Sequence, residues 1–226
     1  MSLSKNSKAL FSFDDEKAKG LYLIGTDEAG RGPASGGVFA SAVSFKSVDN
    51  DLIEKLSKLN DSKKLSKKTR EELFDVIKEN TFNSVICVEV EEIEKTNILA
   101  CSLKAMKLAC EDVINQINLF KTNEKQVDVK VLVDGNRLIR NFEFNQETIV
   151  KGDSKSAAIA GASILAKVSR DRYMLKLDEE FPQYNWKSNA GYLTKEHFEA
   201  IDKYGVTKYH RKSFLKKHFQ KQLTLF

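Results

Sequence analysis

The sequence predicts an α/β fold, in which a mixed sheet is flanked by helices and a small helical lobe follows at the C-terminal end. Three observations lead to this prediction. β-like runs come first along the chain, and helices then alternate with strands. An amphipathic helix is predicted near 97–118 from its 3–4-residue apolar spacing. A second helix, near 154–177, begins with KSAAIAGASILAKV, which is small and apolar on nearly every side and should be buried against the sheet.

The elements follow in a simple order along the chain. Residues 1–20 are expected to form a flexible tail, 21–178 the main α/β domain, 179–219 the helical lobe and 220–226 an exposed tail. Strands are predicted over Leu21–Thr26, Val38–Phe45, Phe82–Val90, Val129–Asp134 and Glu147–Val150. The predicted helices span about 51–59, 66–79, 97–118, 154–177, 195–204 and 211–220.

Composition restricts the class of protein. The chain has 226 residues, 41% of them hydrophobic and 31% charged, which suits one sizeable core with a small lobe. The sequence contains no run of about 18 apolar residues, so no membrane span is predicted. The N-terminus lacks the apolar segment of a signal peptide. The three cysteines, Cys87, Cys101 and Cys110, show no CxxC spacing. They indicate reduced thiols in a cytoplasmic protein and not a disulfide framework or a zinc site.

Positive charge is clustered along the chain. The formal net charge is +5, yet Asp61–Arg70 holds five basic residues against one acid. Residues 203–226 hold seven lysines and arginines and no acid. Such clusters indicate a polyanionic partner, although solvated surface lysines are the alternative explanation.

Four acids lie where predicted strands or turns end. Asp27 and Glu28 end the first strand, Asp134 ends a central strand, and Asp153 precedes the buried helix. Each position also has an ordinary structural explanation. Asp134 could begin a turn, and Asp153 could cap a helix. Glu28 could pair with Arg31.

Taken together, the acids predict a site for divalent cations. Successive side chains of a regular strand point to opposite faces, so Asp27 and Glu28 share a site only if the strand twists out or breaks there. If the first and fourth strands are neighbours, all four carboxylates converge and repel one another. Hard oxygen ligands without clustered Cys or His favour Mg²⁺ or Mn²⁺ over zinc. Two such ions can activate a water and stabilise the leaving oxygen of a phosphodiester.

Seven motifs give the chain a specific resemblance. They are DEAGRG (27–32), DSKKLS (61–66), VDGN (133–136), KGDSKS (151–156), ASILAKVSRD (162–171), NAGYLTKEH (189–197) and HRKSF (210–214). In this order they resemble the bacterial ribonuclease HII family over residues 21–214. The resemblance implies a ribonuclease H-like fold and cleavage of the RNA strand of RNA–DNA hybrids. It also implies incision 5′ of single ribonucleotides in duplex DNA, leaving 3′-hydroxyl and 5′-phosphate ends.

The resemblance also assigns the metal ligands. Matched motif by motif, the acids that bind two Mg²⁺ or Mn²⁺ ions are Asp27, Glu28, Asp134 and Asp153. Asp171 is the rival for the fourth position. Because the family's fourth acid lies in the KGD motif, we expect Asp171 to form an ion pair with a basic neighbour instead.

Two features are expected to recognise the ribonucleotide. Gly30 and Gly32 have no side chains, so their backbone can approach the 2′-hydroxyl that distinguishes RNA from DNA. Arg31 can contact a phosphate or a base edge. Tyr192 matches the family tyrosine that stacks on the deoxyribose after the ribonucleotide. The alternatives are a plain glycine turn and a core tyrosine.

Further residues are predicted to contact phosphates of the substrate. They are Ser62, Lys63, Lys64, Lys151, Ser154, Ser156 and Arg211. Such contacts position a duplex without reading its bases, so binding should weaken with salt. His197 and His210 are expected to be structural and not to bind metal. Trp186 is expected to pack the C-terminal lobe.

The C-terminal residues QLTLF resemble the peptide with which bacterial proteins dock on the DNA sliding clamp. The residues that match are Gln222, Leu223, Leu225 and Phe226. The alternative is that this apolar tail folds back on the protein. The family resemblance further implies a monomer.

Three other functions were weighed. A nucleic-acid-binding protein that has lost catalysis is disfavoured because all four acids are present. Ribonuclease HIII carries an additional N-terminal DNA-binding domain, for which about 20 residues before the first motif leave no room. Transposases and resolvases that share the fold do not match the GRG loop and the tyrosine.

Overall fold

A five-stranded mixed sheet forms the centre of the structure, a computed structural model that describes residues 3–121 and 127–223. Its strands are β1 (Tyr22–Ala29), β2 (Val38–Phe45), β3 (Thr81–Val88), β4 (Val129–Asp134) and β5 (Asn145–Ile149). Their order across the sheet is β3-β2-β1-β4-β5. β2 is antiparallel to both β1 and β3, whereas β4 is parallel to β1 and β5. The mixed sheet is thus confirmed, and the carboxyl ends of β1, β3, β4 and β5 lie at one edge.

The helices follow the predicted pattern with three additions. They are α1 (Leu3–Ala18), α2 (Asn50–Lys55), α3 (Lys67–Asn80), α4 (Val90–Lys95), α5 (Ile98–Lys121), α6 (Ala157–Glu180), α7 (Trp186–Asn189), α8 (Lys195–Tyr204) and α9 (Lys212–Leu223). The sequence did not predict α1, α4 or α7. Within the described ranges, no helix combines the length and apolarity needed to cross a bilayer.

Helices cover both faces of the sheet. α5 packs its buried side chains, such as Met106, against one face of β1, β2 and β4. α6 lies on the opposite face, where Val43 of β2 belongs to the same apolar cluster as α3 and α6. Every residue of α6 from Ala157 to Ala166 is buried. The predicted burial of this small, apolar segment is therefore correct, since small side chains let a helix approach a sheet closely.

The prediction of a flexible tail over residues 1–20 is wrong. Residues 3–18 form α1, and Leu10 and Phe11 are 2% and 4% exposed in the core beside α6. The buried face also includes Ser7 and Asp14. This i, i+3, i+4, i+7 spacing is helical, but two of its four members are polar. A search for apolar periodicity therefore misses the helix.

Asp14 joins α1 to the first turn of α6. Its Oδ2 accepts a hydrogen bond of 2.8 Å from the backbone N–H of Ala158, while Oδ1 is buried and has no hydrogen-bond partner in the described structure. Burial is the main cause that raises the pKa of Asp14 from 3.8 to about 7. Below about pH 7 the neutral carboxyl of Asp14 is thus favoured in the folded protein.

Asp14 predicts a specific pH dependence of stability. Between about pH 4 and pH 7 the folded protein holds a proton at Asp14 that the unfolded chain has lost, so this residue lowers the free energy of unfolding as pH rises. Asp14→Asn should flatten that decline, as measured by urea unfolding at pH 5 and pH 8. Asp15→Asn, at an exposed neighbouring position, is the matched control. An unchanged pH dependence in Asp14→Asn would contradict the prediction.

The C-terminal lobe shares a core with the rest of the chain. Trp186 is fully buried and stacks on Tyr184 with ring centroids 5.0 Å apart, so it packs the lobe as expected. The same cluster includes Met174 of α6, Leu215 of α9 and Ala34 from the segment between β1 and β2. The lobe is therefore held against the segment that follows DEAGRG.

Candidate active site

A cavity of about 320 Å³ opens at the carboxyl edge of the sheet. It brings together three groups that are far apart in sequence: the predicted acids, the GRG loop and the predicted aromatic contact. The lining residues are Asp27, Glu28, Ala29, Gly30, Arg31, Gly32, Ser62, Asp134, Asp153, Ser163, Lys167, Arg170 and Tyr192. All four predicted acids therefore face one cavity.

Asp27 and Glu28 reach this cavity from an unbroken strand. β1 stays paired with β2 through Ala29, whereas its pairing with β4 ends at Thr26. Of the two expected possibilities, a twist or a break, the break does not occur. The two side chains belong to opposite faces, but the sheet ends beside them, so both can border the same space.

Hydroxyl groups from the two covering helices lie against these acids. The Ser163 hydroxyl of α6 hydrogen-bonds Asp27, and the Ser102 hydroxyl of α5 hydrogen-bonds Glu28, in each case lowering the pKa of the carboxyl. Ser163 Oγ also lies 2.9 Å from Ser62 Oγ, which links the DSKKLS segment to Asp27. The sequence analysis missed Ser102 and Ser163. One signal was available for the second: Ser163 lies one turn before Lys167 in an otherwise apolar run.

Asp134 and Asp153 are linked through a short turn. Asp134 ends β4, and its Oδ1 accepts a 2.7 Å hydrogen bond from the N–H of Gly152. Asp153 lies in the same 3₁₀ turn, Gly152–Ser154. The helix cap is Ser156, whose Oγ accepts a hydrogen bond from the N–H of Ile159. The alternative explanation of Asp153 as the cap of α6 is therefore wrong.

Asp171 lies outside this group, as predicted. Lys167 Nζ donates a 2.6 Å hydrogen bond to Asp171 Oδ1, and Arg70 Nη2 lies 3.8 Å from Asp171 Oδ2. Arg70 also donates to the backbone carbonyls of Ser62 and Leu65. Asp171 thus helps to fasten the DSKKLS segment beside the cavity.

The electrostatics of the acids favour a cationic ligand. Burial, and then the charges of Glu28 and Asp134, raise the pKa of Asp27 well above its usual range. Burial also raises the pKa of Glu28, which Arg31 opposes through an Nη1–Oε1 contact of 3.1 Å. The ion pair with Arg31, which was the ordinary structural explanation of Glu28, thus exists, and Glu28 also lines the cavity. A divalent cation would relieve the remaining repulsion.

The donor set fits Mg²⁺ or Mn²⁺. The four acids offer only carboxylate oxygens, the hard ligands that these ions prefer. Among residues 3–121 and 127–223, no three carboxylate, imidazole or thiolate groups form a ready-made cage for one ion. The chemistry of the donor set therefore fits Mg²⁺ and Mn²⁺ alike.

The GRG loop and Tyr192 also line the cavity. Gly30 has φ +96°, a backbone conformation that favours glycine. Tyr192 is 53% exposed, so the alternative of a core tyrosine is wrong. Its ring lies beside Gly32, because a Cβ placed there would be 3.4 Å from Tyr192 Cε1.

Some predicted phosphate contacts are accessible. Lys64, Lys151 and Ser154 are exposed near the cavity rim, and their roles stay predictions. Ser62 lines the cavity but is only 3% exposed. The Lys63 side chain lies outside the described part of the structure.

Two predicted phosphate contacts are wrong. Ser156 and Arg211 are fully buried, so neither can reach a nucleic-acid backbone in this structure. Ser156 caps α6 through the N–H of Ile159. Arg211 donates hydrogen bonds to the carbonyls of Pro33 and Gly36. Charge clustering alone treats every arginine as solvent-exposed, which explains the second error.

The two histidines of the C-terminal lobe are structural, as expected. Their Nε2 atoms lie 3.2 Å apart, and His197 Nδ1 lies 2.9 Å from the carbonyl oxygen of Tyr192. Trp186 Nε1 donates to His197 Nε2. Burial lowers the pKa of His210 to about 4, so the His210 imidazole in contact with His197 is neutral at neutral pH. The histidines therefore support the backbone at Tyr192.

The predicted clamp peptide lies largely beyond the described residues. Gln222 and Leu223 belong to the last turn of α9, and residues 224–226 lie outside the described ranges. The prediction therefore stays one of sequence.

A mixed sheet of this order, flanked by helices and carrying acids at the carboxyl ends of β1 and β4, defines a ribonuclease H-like nuclease. The chain belongs to the ribonuclease HII family, whose sequence model matches residues 24–222. It is therefore a type II ribonuclease H, an endonuclease with ribonuclease H activity on RNA–DNA hybrids.

Similar proteins support this family assignment. Ribonuclease HII of Clostridioides difficile strain 630 is 51% identical over 197 residues, which are 87% of this chain and 71% of that protein. Ribonuclease HII of Fusobacterium nucleatum is 46% identical over 86% of each chain. Among solved structures, the ribonuclease HII of Archaeoglobus fulgidus, determined in a complex with PCNA, is 25% identical. It superposes with a TM-score of 0.65 over 84% of this chain and 94% of that one.

Proposed function

We propose that this ribonuclease incises duplex DNA 5′ of single embedded ribonucleotides, leaving 3′-hydroxyl and 5′-phosphate ends, as a step in ribonucleotide repair in the cytoplasm. One observation supports this proposal above the others: the acids, the GRG loop and Tyr192 line the same cavity. A hydrolytic centre and groups suited to one sugar would therefore face the same nucleotide.

The acids account for hydrolysis. Asp27, Glu28, Asp134 and Asp153 would hold two divalent cations, Mg²⁺ or Mn²⁺. When bound, such ions supply an activated water and stabilise the leaving 3′-oxygen. The buried position of Asp27 keeps this carboxyl out of bulk water. Its interaction with a cation is stronger there than it would be in water, because the effective dielectric constant is lower.

The GRG loop and Tyr192 would account for selectivity. A 2′-hydroxyl both donates and accepts hydrogen bonds, so backbone groups of half-buried Gly30 and exposed Gly32 can recognise it. The half-exposed ring of Tyr192 can stack on the next sugar. A flat contact of this kind favours a deoxyribose, which has no 2′-hydroxyl to clash with the ring. Together, the GRG loop and Tyr192 would thus recognise an RNA-to-DNA junction.

A labelled duplex with one ribonucleotide tests the proposal. We expect Mg²⁺-dependent nicking 5′ of the ribonucleotide, no nicking in EDTA, and no cutting of an all-DNA duplex of the same sequence. Cutting of the all-DNA duplex would exclude recognition of the 2′-hydroxyl. Cleavage of long RNA–DNA hybrids without nicking at the single ribonucleotide would restrict the enzyme to hybrids.

We further propose that QLTLF docks the enzyme on the DNA sliding clamp. The match of Gln222, Leu223, Leu225 and Phe226 to a clamp-binding peptide supports this, as does the related A. fulgidus enzyme solved with PCNA. Short peptides with apolar anchors bind preformed grooves in this way.

Removal of the tail is expected to separate docking from catalysis. Deletion of residues 222–226 should abolish pull-down of the clamp and leave kcat on a short duplex unchanged. Leu225→Ala with Phe226→Ala keeps the chain length and should give the same result, because it removes only the apolar anchors. Equal pull-down by the deletion variant and the full chain would end the clamp proposal.

A further inference from the structure

Arg211 lies buried beneath the segment that follows the GRG motif. Its guanidinium donates to the carbonyl of Gly36 from Nε at 2.9 Å and from Nη2 at 2.6 Å. Nη1 donates to the carbonyls of Pro33 at 2.8 Å and Arg31 at 3.2 Å. One side chain from the start of α9 thus holds three carbonyls of residues 31–36.

A second buried arginine holds the same segment from the other side. Arg170 donates to the carbonyls of Ser35 at 2.9 Å and Gly37 at 3.4 Å, and to that of Ala190 at 3.0 Å. In the part of the chain that the structure describes, neither guanidinium forms an ion pair with a carboxylate. Burial, and then the charge of Arg170, lower the pKa of Arg211 to about 10, so it stays cationic at neutral pH. Backbone dipoles therefore solvate two buried cations.

The contact with Arg31 fixes the direction of one peptide group. The described chain has no cis peptide bond, and in a trans peptide the C=O and N–H point in opposite directions. The carbonyl of Arg31 points inward at Arg211, so the N–H of Gly32 points outward. Gly32 is exposed and lines the cavity. A cation on the carbonyl also polarises the peptide and strengthens its N–H as a donor.

We propose that Arg211 is a positioning residue that orients the Gly32 N–H toward the 2′-hydroxyl of the substrate. This inference rests on the proposed recognition of a single ribonucleotide. Arg211 touches no substrate itself, and it acts through the Arg31–Gly32 peptide. The C-terminal lobe thereby controls the geometry of a loop near the start of the chain.

Kinetics on two DNA ligands distinguish positioning from phosphate binding. In Arg211→Gln, kcat on the single-ribonucleotide duplex should fall by about 10²-fold, because a small misplacement in an active site can cost that much. The Ki of an all-DNA duplex as competitive inhibitor should stay unchanged, as should its dependence on salt. A lost phosphate contact would instead raise Ki and reduce the slope of log K against log salt by about 0.9.

Two further variants make the test decisive. Arg211→Lys keeps the charge, but a single ammonium cannot hold the carbonyls of both Arg31 and Gly36 in the geometry of a guanidinium fork. Because the charge is kept, Arg211→Lys should fold, as judged by thermal unfolding. Because the fork geometry is lost, it should still lose most of kcat. Lys212→Gln changes the exposed neighbour and should keep wild-type kcat.

The outcomes separate this inference from the function on which it rests. If the wild-type enzyme cuts all-DNA duplexes, the proposed function fails first. If the wild type requires the ribonucleotide but Arg211→Lys retains full kcat, the positioning role alone is overturned. A parallel change in Ki and salt slope would identify Arg211 as a phosphate contact.

Discussion

Asp134→Asn is expected to lower kcat by about 10³-fold, equivalent to roughly 4 kcal/mol of transition-state stabilisation. Asparagine keeps the Oδ1 acceptor for the N–H of Gly152, so the turn that carries Asp153 should stay in place. Only the negative charge is lost, and with it one ligand for the cations. Steady-state kinetics on the single-ribonucleotide duplex measure the effect.

Stability gives a second measurement on the same variant. The charge of Asp134 raises the pKa of buried Asp27, so its removal should leave the protein in EDTA at least as stable as wild type. Mg²⁺ should raise the unfolding temperature of the wild type more than that of Asp134→Asn, since a ligand stabilises the state that binds it.

Asp171→Asn is the matched control for the assignment of the acids. Asp171 pairs with Lys167 and Arg70 and does not line the cavity. Its variant should keep the Mg²⁺-dependent rise in unfolding temperature and lose far less kcat than Asp134→Asn. The opposite ranking of the two variants would show that the acids have been wrongly chosen.

Gly30→Ala is the second change with a large expected effect. Gly30 has φ +96°, and a Cβ there would lie 2.1 Å from Nε and 2.5 Å from Cδ of buried Arg170. The backbone strain should cost about 1 kcal/mol and the forced displacement about 1–3 kcal/mol more. The GRG loop would move with Arg170, so kcat should also fall by about 10²-fold.

Gly205→Ala separates the two causes. Gly205 has φ +80° after α8, and a Cβ there meets no atom within 4 Å. Gly205→Ala should lower the free energy of unfolding, measured in urea, only by the backbone strain of about 1 kcal/mol. It should keep full activity. Equal losses of stability in Gly30→Ala and Gly205→Ala would mean that the contact with Arg170 has no cost.

Much of the fold, and the choice of candidate site residues, could be predicted from local sequence patterns. The alternating strands and the all-apolar start of α6 follow from periodicity, which depends only on near neighbours. The four acids were predicted because Asp27, Glu28 and Asp134 end strands and Asp153 precedes a helix, and the family resemblance selected Asp153 over Asp171. α1 was missed because Ser7 and Asp14 replace apolar residues on its buried face.

The errors at the site have one physical origin. Whether Arg211 is exposed depends on carbonyls about 175 residues earlier in the chain, which no local pattern reveals. Likewise, Asp27 and Glu28 share a cavity because β4 ends beside β1, a fact of sheet register. Sequence indicated which groups take part, whereas long-range packing decides which of them face the substrate.

The buried contact between Arg211 and the GRG loop also has a consequence for protein synthesis. Chains emerge from the ribosome N-terminus first, so Asp27, Glu28, Asp134 and Asp153 are all made before Arg211. A nascent or prematurely released chain that ends before Arg211 contains these four acids but lacks the side chain that holds the loop. The proposed selectivity for ribose would thus be acquired among the last events of translation, and truncated products would lack it.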